Sequence, residues 1–169
     1  MVKLSAISIP RQLAIVAALT GAAVIAPLFG QQLATGTIVN AALFLAVMLA
    51  GFRAAAVVAV IPSLIALGVG TLPAAMAAMV PYIMASNIAL AGIFALLRKV
   101  NYWLAASVAI LAKFGILVLS ATAILAAITH GNINLALASM MGWPQLITAI
   151  LGCVAAYSVN LKLKNQNGK

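Results

Sequence analysis

Six apolar runs fill this chain from end to end, and that pattern points to a lipid bilayer as the medium in which it folds. A soluble domain covers its core with polar side chains, and about a quarter of its residues are charged. Here 67% of the 169 residues are hydrophobic and 5% are charged. A bilayer core about 30 Å thick takes roughly 20 residues of helix, with tilt or thinning absorbing longer and shorter segments. Turn signals cut the chain into candidate spans at about 10–29, 37–51, 54–70, 73–97, 102–129 and 142–161. The breaks are GQQLATGT (30–37), GFR (51–53), GTLP (70–73), RKVNYW (98–103) and THGNINLALASMMGWP (129–144), each holding Gly, Pro, Asn or charge. The runs are continuous and rich in Ala and Leu, whereas strands of a β-barrel alternate apolar with polar residues. The first run is long enough to span, so it reads as a retained helix rather than a secretory signal. The expectation is one all-α integral membrane domain over 1–169, with six transmembrane helices of which the second is short.

The cations give an independent view of orientation. With the N-terminus inside, the cytoplasmic segments collect Lys3, Arg11, Arg53, Arg98, Lys99, Lys162, Lys164 and Lys169, which is eight of the nine Lys and Arg residues. The three outer connections hold none. That asymmetry obeys the positive-inside rule and predicts both termini in the cytoplasm, in the inner (cytoplasmic) membrane of a cell. The net charge of +9 does not predict nucleic acid as a partner, because the cations are scattered singly. A phosphate backbone is held by many Lys and Arg side by side.

The ninth cation, Lys113, lies inside VAILAKFGILVLS (108–120). At 1.5 Å per residue it sits roughly 16 to 18 Å along the fifth span, near the middle of the bilayer. Asn87 lies eleven residues before Arg98, at nearly the same depth on the fourth span. An ammonium there costs at least about 2.5 to 3.5 kcal/mol to insert, and the chain contains no Asp or Glu to balance it. Three settings would suit it. The amine faces a wet pocket and meets an anionic or carbonyl-bearing substrate; it meets an acid on a partner subunit; or it snorkels along its own stem or gives up its proton.

A second polar set occupies the outer connections: Gln31, Gln32, Thr35 and Asn40 after the first span, Thr71 before the fourth, His130, Asn132 and Asn134 after the fifth, and Gln145 at the start of the sixth. Amides and hydroxyls suit a neutral or zwitterionic small molecule, and Tyr82 and Trp143 add flat faces for stacking. Solvation, helix capping and an interfacial aromatic belt account for the same residues one at a time. One His, one Cys and no carboxylate cannot build a metal site or a Ser-His-Asp, Cys-His or paired-acid centre. No Gly-rich phosphate loop is present. The chain is therefore expected to be neither an enzyme nor a holder of any cofactor.

The first span reads RQLAIVAALTGAAVIAPLFG, in which Ala14, Ala18, Ala22 and Ala26 recur every four residues beside Ala17 and Gly21. Small residues at that spacing make a ridge suited to close helix approach. Six spans, inside termini, a short second helix, this Ala stripe and outer polar loops together resemble the substrate-specific S components of energy-coupling factor (ECF) transporters. The resemblance covers almost the whole chain, although its single motif is Ala14, Ala18 and Ala22. It implies a prokaryotic, membrane-embedded subunit for vitamin uptake that captures a small organic substrate near the outer face. Gln31, Gln32, Asn40, Tyr82, Asn132, Trp143 and Gln145 would bind it, above a floor of Asn87 and Lys113. Helix one would then dock on a transmembrane coupling subunit driven by two cytosolic ATPases. Two rivals remain: a non-transporting membrane scaffold or anchor of a larger complex, and a small pore former.

Overall fold

A computed structural model describes residues 9–70, 77–127 and 140–167. Among the described residues the chain is helical: α1 (Ile9–Ile25), α2 (Gln32–Leu49), α3 (Phe52–Gly68), α4 (Val80–Leu97), α5 (Tyr102–Ala127) and α6 (Trp143–Asn167). Five segments are long and apolar enough to cross a membrane, namely Pro10–Phe29, Gln32–Leu49, Val80–Leu97, Tyr102–Ile124 and Trp143–Gln166; α3 is a shorter apolar helix. Helix is the natural outcome in lipid, where no water is present to satisfy a bare backbone and each helix bonds its own amides.

The joints are local. A 3-10 turn over Ala26–Phe29, with Pro27 in its first turn, extends α1 and closes on Gly30 at φ 66°, whose N–H donates to the Pro27 carbonyl. Gly51, at φ 88°, makes the corner between α2 and α3. Both need left-handed or mirror-image backbone that glycine adopts without a Cβ clash. Sequential helices are antiparallel: the short joints turn α1 into α2 and α2 into α3, Asn87 on Ala59 and Gly92 beside Phe52 set α4 against α3, and Tyr102 on Cys153 and Phe114 beside Trp143 set α6 against α5. Helix α2 packs most extensively on α6 and α4 on α5, while α3 bridges α4 and α1.

Three expected boundaries shift. Helix α2 begins at Gln32, inside the segment read as a break, so it is a full 18 residues and not short. The polar residues of QQLATGT are tolerated because a first turn has free amides in any case, and because Gly36 is a contact point: a Cβ there would lie 2.8 Å from the Thr148 side chain. The shorter apolar helix is instead α3, which carries Pro62 internally. Helix α6 continues to Asn167, beyond the expected end at 161.

The two ends of the bundle differ in charge. Arg11, Arg53, Arg98, Lys99, Lys162 and Lys164 all fall at the end where α1, α3 and α5 begin. Just inside this charged end the core closes with large side chains, Leu43, Phe44, Val47, Leu90 and Phe94. Phe94 packs edge-on between Phe44 and Tyr102, with centroids at 4.8 and 5.3 Å. The Tyr102 hydroxyl donates to the Cys153 carbonyl at 2.8 Å, so the ring's polar tip is satisfied within the helices.

Candidate functional site

Towards the uncharged end the same inner faces carry polar side chains beside a second apolar cluster of Met79, Leu117 and Met141. On α4 one face runs Val80, Ile83, Asn87, Leu90, Ala91 and Phe94, at spacings of three, four, three, one and three. Helical periodicity brings these residues into one line towards the core. On α5 the corresponding line passes through Ala106, Ala109, Ile110, Lys113 and Leu117, all buried. Lys113 therefore points inward because it occupies the core register of an amphipathically silent helix.

Three side chains from three helices meet near the middle of the bundle. Lys113 Nζ donates to Asn40 Oδ1 at 2.6 Å and to Asn87 Oδ1 at 2.7 Å. Lys113 is 4% exposed, Asn40 1% and Asn87 3%. A lysine ammonium has N–H donors and no acceptor, which obliges both amides to present oxygen. Their NH2 groups turn away: Asn40 Nδ2 donates to the Gly36 carbonyl at 2.8 Å and to Thr148 Oγ1 at 3.3 Å. Asn87 Nδ2 reaches the Ala59 carbonyl at 3.5 Å. Thr148 Oγ1 passes its own proton to the Gln145 carbonyl at 3.1 Å. Two amide dipoles thus solvate the amine without neutralising it.

Two glycines let Asn40 reach this position. A Cβ on Gly152 would lie 2.6 Å from Asn40 Cβ and 2.8 Å from the Ala41 backbone nitrogen, closer than side chains approach. Gly36, one turn before Asn40, makes the matching approach to Thr148. Close backbone contact of this kind is how small residues join helices within a membrane.

Beside the amine is a cavity of about 140 Å3. Its polar lining is Thr35, Asn40, Ser63, Asn87, Lys113 and Gln145, and its apolar walls include Pro27, Val39, Pro62, Ala66, Val80 and Ile83. Most of these belong to the uncharged halves of α2, α3 and α4 or to the 3-10 turn, so Lys113 forms the deep side of a hollow that opens towards that end.

Of the sequence-proposed residues, Asn40, Asn87, Lys113 and Gln145 share this cavity. Asn40 does so from mid-helix and not from the outer connection, because α2 starts five residues early and carries it inward. Gln32 is linked to the group from outside, since its Nε2 donates to the Met140 carbonyl at 2.7 Å and Gln145 Nε2 reaches the same oxygen at 3.3 Å. Gln31 is exposed ahead of α2. Tyr82 and Trp143 do not line the cavity: they are 43% and 71% exposed, and the Trp143 ring tilts against Phe114 at 6.1 Å. Both sit in the first turn of a helix on its outer side, where an interfacial aromatic is stable. Asn132, with Thr71, His130 and Asn134, lies outside the described residues.

Ser63 and the two glycines escaped the sequence reading. A Pro-Ser pair inside the apolar run IPSLIALG is a visible signal for Ser63, since Pro62 removes a helix hydrogen bond and polar neighbours often gather there. Gln145, Thr148, Gly152 and Ala156 at spacings of three, four and four mark the α6 seam in the same way.

On α1, Ala14, Ala17, Ala18 and Ala22 are exposed, and the helix packs inward through Val16, Leu19 and Ala23. Ala26, expected as the ridge's fourth member, is instead fully buried within the 3-10 turn. No protein-family model, curated protein or solved structure matches this chain.

Proposed function

We propose that the chain is the membrane-embedded substrate-capture subunit of an ECF-type ATP-driven uptake transporter, for a vitamin-like organic micronutrient. In this reading it crosses the cytoplasmic membrane six times with both ends inside. The observation that carries it is the cavity at the uncharged end, with Lys113 on its deep side and Gln145, Thr35 and Ser63 around it. A buried cation set beside a hollow, where tight packing would have been cheaper, is the mark of a ligand site.

The mechanism is capture followed by movement powered elsewhere. Cargo enters from the outer face, between the starts of α2, α4 and α6, and displaces water from the cavity. The chain has no nucleotide-binding motif, so release inside depends on a transmembrane coupling subunit and two cytosolic ATPases. The Ala14, Ala18 and Ala22 ridge, exposed along α1, is the docking face, because small side chains let a partner helix approach closely. A non-transporting scaffold would use the same ridge and leave the cavity without a role.

Co-purification from the native host tests this directly. Mass spectrometry is expected to find a bound metabolite together with a membrane coupling subunit and ATPases. Recovery of redox or envelope proteins with no small molecule would favour the scaffold.

A further inference from the structure

The cavity also constrains what it can hold. This step rests on the reading of the hollow as a cargo site, and it asks which chemistry matches the charge, the donors and the space.

Charge comes first. Among the described residues Lys113 is the one cation on the cavity lining, its hydrogen-bond partners are two neutral amide oxygens, and the chain contains no Asp or Glu. An ammonium has three N–H donors, and two are taken. The third is left for an acceptor in the cavity. An acceptor bearing one negative charge cancels the buried positive charge; two negative charges would merely reverse the imbalance. Val80, the first residue of α4, and Gln145, in the first turn of α6, also line the hollow. Their helix N-termini add partial positive charge at its open side.

On the deep side, beside Lys113, the donors favour a carboxylate over phosphate. Phosphate sites gather several charge-assisted donors, from Arg forks, multiple Lys or a run of free backbone amides. Here both asparagine NH2 groups are turned to the Gly36, Thr148 and Ala59 oxygens. A carboxylate needs no more than Lys113 and one hydroxyl on the same lining, which Ser63 supplies.

Space sets the body. The cavity of about 140 Å3 compares with roughly 150 Å3 for an engineered apolar cavity that takes one benzene. Val39, Pro62, Ala66 and Ile83 supply apolar walls for a ring. Because the hollow is open towards the uncharged end, a longer body would extend outwards past this part.

We infer that the cavity takes a monocarboxylate, with its carboxylate seated on Lys113 Nζ and an apolar body such as a ring directed towards Gln145.

Calorimetric titration of the full chain in lipid nanodiscs tests this with three probes: benzoate, benzamide and phthalate. Benzoate is expected to bind saturably, and the others at least tenfold more weakly. Lys113→Met is expected to weaken benzoate at least tenfold and leave benzamide unchanged. Because that variant perturbs a buried network, Asn87→Asp provides the second arm. It sets a carboxylate against Lys113 within the protein, so the melting temperature is expected to hold or rise while benzoate binding disappears. Benzoate binding that is absent, matched by benzamide or phthalate, or retained in Asn87→Asp overturns the inference. The two readings fail separately: a molecule without a carboxylate co-purifying with the native chain and its ATPases removes the carboxylate class and keeps the capture role. A chain that binds benzoate but assembles with no ATPases keeps the site and removes the transporter.

Discussion

At the charged end Phe44, Phe94, Tyr102 and Tyr157 meet ring to ring and fill the space between helices; at the uncharged end the same helices leave about 140 Å3 beside Lys113. The backbone does not cause the contrast, since single helix faces continue through both regions. On α4 the line Val80, Ile83, Asn87 borders the hollow, and one turn later Leu90 and Phe94 are fully buried in solid packing. Side-chain volume and polarity alone divide them. Aromatic rings fill the closed region, whereas Gly36, Asn40, Ser63 and Asn87 interrupt the apolar lining where room is kept. The lesson is that the closed half can hold the helices at a fixed spacing so that the open half need not collapse on its own hollow.

Substitution across the seam shared by both regions should have the largest effect. Gly152→Val places a methyl-bearing Cβ where Asn40 Cβ and the Ala41 nitrogen stand at 2.6 and 2.8 Å. The obstacle is backbone, which cannot rotate away, so α2 and α6 must separate. We expect a loss of at least about 3 kcal/mol, at the upper end for overpacking. Thermal melting in nanodiscs measures it. Binding of benzoate should fall as well, because Asn40 is drawn off Lys113. A variant that melts normally would mean that the contact between α2 and α6 does not set the spacing of the bundle.

Phe94→Ala should separate the two regions. It empties the centre of the ring cluster while leaving every cavity residue in place. In a bilayer the loss is dispersion and void formation and not transfer from water, so we expect about 2 kcal/mol, below the range for soluble cores. The affinity for benzoate should stay within twofold of the parent. Equal loss of stability and binding would show that the open half depends on the closed one residue by residue, and the division drawn above would not stand.

The sequence made much of this legible and hid the rest for a physical reason. Apolar runs and cations are one-dimensional signals, and the helices lie close to where those signals put them. Lys113 and Asn87 were matched by depth because depth follows from counting at 1.5 Å per residue. Rotation about the helix axis is harder to read, since these helices are apolar nearly all round and contain almost no amphipathic contrast. Tyr82 and Trp143 were therefore placed at the right level and turned the wrong way. Asn40 was misassigned because QQLATGT resembles a loop by composition, yet its helix is fixed by the Gly36 contact with Thr148, a partner 112 residues away. Such a contact leaves no local trace.

Ala18→Trp should have the smallest effect on both regions, and that makes it the sharpest control. Ala18 is exposed on the face of α1 turned away from the bundle, and nothing lies within 4 Å of a Cβ built on neighbouring Gly21. An indole there extends into lipid, where it meets neither the ring cluster nor the cavity. The melting temperature and benzoate affinity should match the parent within error, because neither depends on that face. Association with the proposed coupling subunit should be lost, since a Trp on the ridge holds a partner helix away from the close approach that Ala14, Ala18 and Ala22 permit. Co-purification from cells carrying the variant reads this out against the parent. Retained association would move the docking face elsewhere on the bundle, whereas a fall in melting temperature would mean that α1 uses this ridge within the chain.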